Sequence, residues 1–301
     1  MATPQKPVRF AHRAMHAEFA LFVDPEDREA ARGASTALWE RLDEMESRIS
    51  SWRNTSDLGQ LHRTSAGLPV VVSLDTFASL TAAKALFQRT GGAFDISLGP
   101  VIALWKAAAP QAPDPIALAA ARNRTGLQHL RLDAKKMTAT LAQPNMRLDL
   151  GGLAKGLALD TLAPLLDDYA VKRWLLSAGG STLLAGGPPR QQPAGWSVGL
   201  GKNVPAGQLR HRALSASGTL FRGDHIIDPR TGHPARRPVA RAWSTADRAG
   251  LADAMSTVAL ILDQNALKKA CTHSPSCGVQ LLQTDGKRSL TGDWRLAPTS
   301  S

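Results

Sequence analysis

Two short stretches of this chain place phosphate- and metal-handling groups at spacings a fold can use. In the first, residues 148–160, an alternating apolar run ends in Gly151 and Gly152 and passes straight into a helix-compatible segment. Glycines at such a turn let backbone N–H groups approach a phosphate at the positive end of a helix dipole. Asp149 and Lys155 set one charge of each sign beside it. The turn is neither G-x-G-x-x-G nor a phosphate loop ending in Gly-Lys-Ser/Thr, so alone it specifies no particular nucleotide. The second stretch carries Asp253 and Thr257, four residues apart on a helix predicted from about Arg248 to Leu262. That spacing presents a carboxylate and a hydroxyl on one face, with Ser256 at its edge. Hard oxygen donors suit magnesium or calcium rather than zinc. A single carboxylate is too few for a closed cage, which fits a magnesium ion that keeps waters and also binds substrate phosphates. In isolation, Asp-x-x-x-Thr reads as an exposed carboxylate and a threonine facing the core.

These groups need elements to position them. A strand is predicted over Phe19–Val23, followed by a helix with Leu38, Leu42, Met45 and Ile49 on one face. Asp75 can cap a second helix, which stops at Gly91-Gly92. Pro110 to Pro115 reads as a loop and Ile116 to Arg122 as a short helix. Two hairpin strands, Leu127–Leu132 and Thr138–Leu141, precede a strand over Met146–Leu150. The helix after Gly151-Gly152 runs to about Asp167. A hairpin around Gly179-Gly180 follows, then strands at Trp196–Leu200, Leu209–Ser215, Pro238–Ser244 and Val279–Leu282. Helices and strands mix without regular βαβ alternation, so the fold class is α+β, with mixed, largely antiparallel sheets flanked by helices. Residues 13–296 read as a single domain, 1–12 as an N-terminal arm and 297–301 as a frayed tail.

The 301 residues, 43% of them hydrophobic, can bury a sizeable core. No apolar run approaches the ~20 residues of a transmembrane helix. No secretory signal is recognisable, so the reading is cytoplasmic as the sequence stands and periplasmic if a leader was removed. The net charge of +11 invites a nucleic-acid reading. The basic residues are scattered, however, aromatics are few and no nucleic-acid module is present, so no nucleic-acid partner is expected. Cys271 and Cys277 could close a small loop or bind metal with His273. Too few ligands lie nearby for structural zinc, and the pair reads as two thiols in a surface loop.

Three further blocks flank the Gly-Gly turn in a fixed order: Thr90 to Pro100 (TGGAFDISLGP), His225 to Pro234 (HIIDPRTGHP) and Ala252 to Thr257 (ADAMST). Together the four blocks resemble the ApbE-like flavinyltransferases, the FAD:protein FMN transferases, from near Met15 to about Leu262. The resemblance implies a T-fold-like domain. It also implies that a cation, Mg2+, is bound by Asp253, Thr257 and the Gly152 carbonyl, with Ser256 an optional ligand. FAD contacts are implied at Met15, Trp52, Ala93, Phe94, Asp95, Asp149, Lys155 and Ile227. Trp52 offers a flat face for a ring to stack on, and Lys155 could pair with a phosphate. The alternatives are that Trp52 packs the first helix and Asp95 caps a turn. His225 is the candidate base, since a neutral imidazole can accept a hydroxyl proton near neutrality. Asp228 reads as a turn-former before Pro229.

The implied activity moves the FMN part of FAD onto a threonine or serine of an acceptor protein with an FMN-binding domain, releasing AMP. A metal-dependent FAD pyrophosphatase and a flavin-binding module without chemistry are the other readings. The chain also departs from the family pattern. His16 stands where relatives often carry glycine, His62 where many carry an amide, and Thr219 where many carry aspartate.

Overall fold

A computed structural model of the chain describes residues 6–201, 204, 206–218 and 226–298. Its main sheet contains β1 (Val8–Ala14), β2 (Ala17–Val23), β3 (Trp174–Ala178), β4 (Thr182–Ala185), β5 (Arg212–Gly218), β6 (Val239–Ala246), β7 (Gly278–Gln283) and β8 (Arg288–Gly292). The strands lie side by side in chain order, and every pairing is antiparallel. Residues 8–12, expected as an arm, are therefore part of an edge strand. The β1–β2 hairpin turns through Met15 and His16, both at positive φ (50° and 56°). A two-residue turn of that shape suits the right-handed strand twist, and it is where glycine would be unstrained.

The helices are α1 (Arg28–Ile49), α2 (Asp57–Arg63), α3 (Leu74–Arg89), α4 (Gly99–Ala108), α5 (Pro115–Arg122), α6 (Ala154–Asp168), α7 (Ala249–Val258) and α8 (Gln264–Thr272). α1, α6 and α7 cover one face of the sheet. They do so because their apolar residues recur every three or four positions: Leu38, Leu42, Met45 and Ile49 on α1, and Ala158, Leu159, Leu162 and Leu166 on α6, all buried. On the opposite face, Trp196, Val198 and Leu209 from a small sheet close a second core over Leu175, Leu214 and Trp243. A third cluster joins Val101 of α4 and Leu118 of α5 to Ile227.

The α+β reading holds, while several local expectations change. Ser73, not Asp75, caps α3, its hydroxyl accepting from Thr76 N at 3.3 Å. Asp75 instead pairs with Arg41 across to α1. Residues 146–150 form no strand; Arg147 makes an isolated bridge to Leu98. The helix expected to reach Leu262 ends at Val258 and gives way to turns. The cysteines are not in a surface loop: Cys271 lies on α8 and both are buried. Asp263 caps that helix, accepting from Ala266 N at 2.8 Å, and Leu267, Ala270 and Cys271 form its buried face.

Candidate functional site

The Gly151-Gly152 turn is built by local hydrogen bonds. Leu150 O accepts from Leu153 N at 2.8 Å and Ala154 N at 2.7 Å, while Asp149 Oδ1 accepts from Gly151 N at 2.9 Å. α6 starts here with no side-chain cap and no acidic residue in its first turn. Its first-turn N–H groups are met within the protein, Ala154 N by Leu150 O and Gly156 N by the Asp253 carboxylate, so the positive end of the helix already faces one anion. The turn lies in a cavity of about 1180 Å³. Ligand pockets commonly measure about 300–1,000 Å³, so a dinucleotide fits in this one.

α7 brings the carboxylate to the same cavity. Asp253 is 5% exposed. Its Oδ1 accepts from Thr182 Oγ1 at 3.1 Å and Ser215 Oγ at 3.2 Å, and its Oδ2 accepts from Gly156 N at 3.2 Å. Lys155 Nζ lies 3.7 Å from Oδ2. Desolvation raises the Asp253 pKa, a push opposed by Lys155 and by these hydrogen bonds. The close approach of α6 depends on Gly156, since a Cβ there would sit 2.3 Å from Ala249 O.

Met15, Ala93, Phe94, Asp95, Asp149, Lys155 and Ile227 all line this cavity, as do Gly152, Asp253 and Thr257. The tertiary structure therefore gathers residues drawn from all four blocks. Asp95 lines the cavity and also caps a turn, its Oδ1 accepting from Ser97 N at 2.8 Å and Ser97 Oγ at 2.6 Å. Burial raises its pKa against those bonds. Asp228 is the turn-former expected, accepting from Arg230 N at 2.9 Å and pairing with the Arg230 guanidinium.

Two expected residues stand apart. Trp52 is 76% exposed and is not among the lining residues. Ser56 donates back to Ser50 O, drawing the chain after α1 into a tight loop that leaves the indole in solvent. Ser256 is fully buried, its hydroxyl donating to Asp253 O at 2.9 Å and lying 2.8 Å from Ser217 Oγ, so it faces the protein rather than the cavity. His225 lies outside the described residues, as does Thr219; Ile226, next to His225, lines the cavity.

The residues not anticipated are Ser217, Thr182, Ser215, Arg9 and Arg241. Ser217 lines the cavity with its hydroxyl 3.3 Å from Thr257 Oγ1. Thr182 and Ser215 face each other across β4 and β5, with hydroxyls 3.0 Å apart. Small hydroxyl residues in strands carry no local signal of what they face. His62 supplies an acceptor: its Nε2 accepts from Leu148 N at 2.9 Å.

No group of three or more His, Cys, Asp or Glu side chains able to hold a metal occurs among the described residues. The oxygen donors on this cavity include the Asp253 carboxylate, the Thr257 and Ser217 hydroxyls, which lie 3.3 Å apart, and Gly152. The Lys155 ammonium marks a place where positive charge offsets the buried carboxylate. This set fits a magnesium-like ion that retains waters and takes further oxygens from a phosphate.

A sequence model described as the ApbE family matches residues 15–280. A Treponema pallidum protein named FAD:protein FMN transferase is 33% identical over 249 residues, covering 73% of this chain and 69% of the relative. A protein of the same name from Klebsiella pneumoniae is 29% identical over 261 residues, covering 80% and 73%. Among solved structures, the Pseudomonas stutzeri flavinyl transferase ApbE superposes with a TM-score of 0.84 at 22% identity, covering 97% of each chain. The Vibrio cholerae flavin transferase ApbE gives 0.83 at 23% identity, covering 96% of this chain and 98% of its own. These two share the fold.

Proposed function

The chain belongs to the ApbE family, and from that membership we propose that it transfers the FMN part of FAD to a hydroxyl of an acceptor protein and releases AMP. The observation that carries this reading is one cavity in which the start of α6, Lys155 and the Asp253–Thr257 pair meet.

In this reading the diphosphate of FAD lies against the Gly151-Gly152 turn, where backbone N–H groups and Lys155 attract it. Met15, Ala93, Phe94 and Ile227 supply the apolar walls for the rings, and Asp95 and Asp149 accept from ring or sugar donors. Mg2+ would be held by Asp253, Thr257 and the Gly152 carbonyl; when bound it neutralises phosphate charge and orients the diphosphate. The acceptor hydroxyl, on a threonine or serine, bonds to the FMN-side phosphorus as the bond to the AMP oxygen breaks. A hydroxyl is a poor nucleophile at neutral pH, so His225 takes its proton. The nucleophile comes from the partner, which explains why the cavity needs no nucleophilic side chain of its own.

Mass spectrometry of an FMN-binding-domain acceptor co-expressed with the protein tests the reading. An FMN adduct on threonine or serine, with AMP released in equal amount, is the expected result. Release of free FMN and AMP with the acceptor unmodified would instead establish a pyrophosphatase.

A further inference from the structure

Among the described residues, Lys155 is the charged partner of the buried Asp253 carboxylate, 3.7 Å from Oδ2. The other groups on that carboxylate, Gly156 N, Thr182 Oγ1 and Ser215 Oγ, are neutral donors. Lys155 stands on the first turn of α6 and lines the cavity, its side chain 23% exposed against 7% for Asp253. It can therefore turn to a cavity ligand, whereas the carboxylate is held in place by bonds on both oxygens. The remaining oxygen donors, Thr257, Ser217 and the Gly152 carbonyl, carry no formal charge. Together with the Lys155–Asp253 pair, they give an incoming divalent cation no net negative charge to bind.

The nucleotide side also carries charges of both signs. Among the described lining residues, the basic Arg9, Lys155 and Arg241 do not outnumber the acidic Glu18, Asp95, Asp149 and Asp253. Arg9 is paired with Glu18, and Arg241 lies over the Trp243 ring at 5.1 Å. A diphosphate arriving alone therefore meets four carboxylates beside three cations, two of which are already paired with acids.

We propose that Lys155 is an internal stand-in for the cation, and that the flavin diphosphate and the divalent cation bind jointly because of it. The diphosphate takes the ammonium, and the carboxylate so released takes the cation. Each ligand then tightens the other by the same factor, as linkage requires. This rests on reading the cavity as an FAD and cation site, and it assigns Lys155 a positioning role beyond phosphate contact.

The test is titration of metal-free protein with Mn2+ in the absence of nucleotide, comparing wild type, Lys155→Met and the double variant Lys155→Met/Asp253→Asn. Removing the ammonium is expected to tighten Mn2+ about tenfold or more, and the double variant to lose that gain. Mn2+ should also raise the unfolding temperature of Lys155→Met more than that of wild type. FAD titrated in EDTA, followed by flavin fluorescence, should bind Lys155→Met about tenfold more weakly. Should Lys155→Met fold poorly without metal, Lys155→Gln repeats the comparison with an amide that can hydrogen-bond to the carboxylate. Mn2+ binding that is no tighter in either single variant than in wild type overturns the proposal, as does Mn2+ binding to none of the proteins. These titrations do not read FMN transfer. An unmodified acceptor would therefore overturn the transferase reading while the Mn2+ comparison still decided the role of Lys155.

Discussion

Asp160 of α6 holds the first turn of α7, its Oδ1 accepting from Ala249 N at 2.8 Å and its Oδ2 from Gly250 N at 3.0 Å. The helix that starts at the Gly151-Gly152 turn thus caps the helix that carries Asp253. Asp160→Ala leaves two buried N–H groups without that acceptor and should cost about 1–3 kcal/mol of stability. Urea unfolding would measure this, and FMN transfer should fall with it because Asp253 lies one turn further on. Arg248→Ala, removing an exposed partner of Asp160, should change stability by less than about 1 kcal/mol.

Gly156→Ala tests the contact of α6 with α7 directly. The added methyl would meet Ala249 O at 2.3 Å and Gly250 Cα at 2.7 Å. Backbone cannot rotate away as a side chain can, so the helices must separate, at a cost of about 1–3 kcal/mol. The Gly156 N to Asp253 bond should lengthen as they do. Thermal unfolding together with cation affinity would show both effects; wild-type values for both would contradict the packing described.

Asp253→Ala should reduce cation-dependent transfer by about 100-fold or more while largely sparing the fold. Thr182 and Ser215 keep each other as hydrogen-bond partners once the carboxylate is gone. Burial already opposes the charge of Asp253 in the native state, so its loss removes a desolvation cost as well as bonds. AMP release and acceptor mass measure the activity, and circular dichroism the fold. Full activity in this variant would remove Asp253 from the cation site.

His62 predicts a pH dependence of stability. Burial, reinforced by Arg147, lowers its pKa from 6.5 to about 4, and its Nε2 must stay unprotonated to accept from Leu148 N. Below pH 6.5 the unfolded chain takes up a proton that the native state refuses until about pH 4. Stability from this group is therefore complete above the unfolded value and is lost as pH falls through that window. Partial exposure reduces the full linkage, leaving about 1–3 kcal/mol. Denaturant unfolding at several pH values should show this slope in wild type, and a smaller one in His62→Gln, whose amide oxygen can still accept.

Some of this was legible in the residues. The Gly151-Gly152 turn, the helix after it and the Asp253–Thr257 spacing are local patterns, and each is present in the structure. The α8 helix was not legible, because its apolar face shows only once Cys271 is counted as a core residue. Asp75 has a cap-like sequence setting but is claimed by Arg41 from α1, a partner far away in the chain. Trp52 has the right chemistry for stacking, but only the loop held by Ser50 and Ser56 decides which way it faces.

By itself the sequence determined which groups were available: one carboxylate and hydroxyl a helical turn apart, a bare glycine turn, and four blocks in the order of a known family. Those signals are local, set by helical period and by the backbone freedom of glycine. The tertiary structure alone decided what surrounds Asp253. Thr182, Ser215, Lys155 and Gly156 meet it through strand register and helix packing, and such long-range pairings leave no periodic trace along the chain.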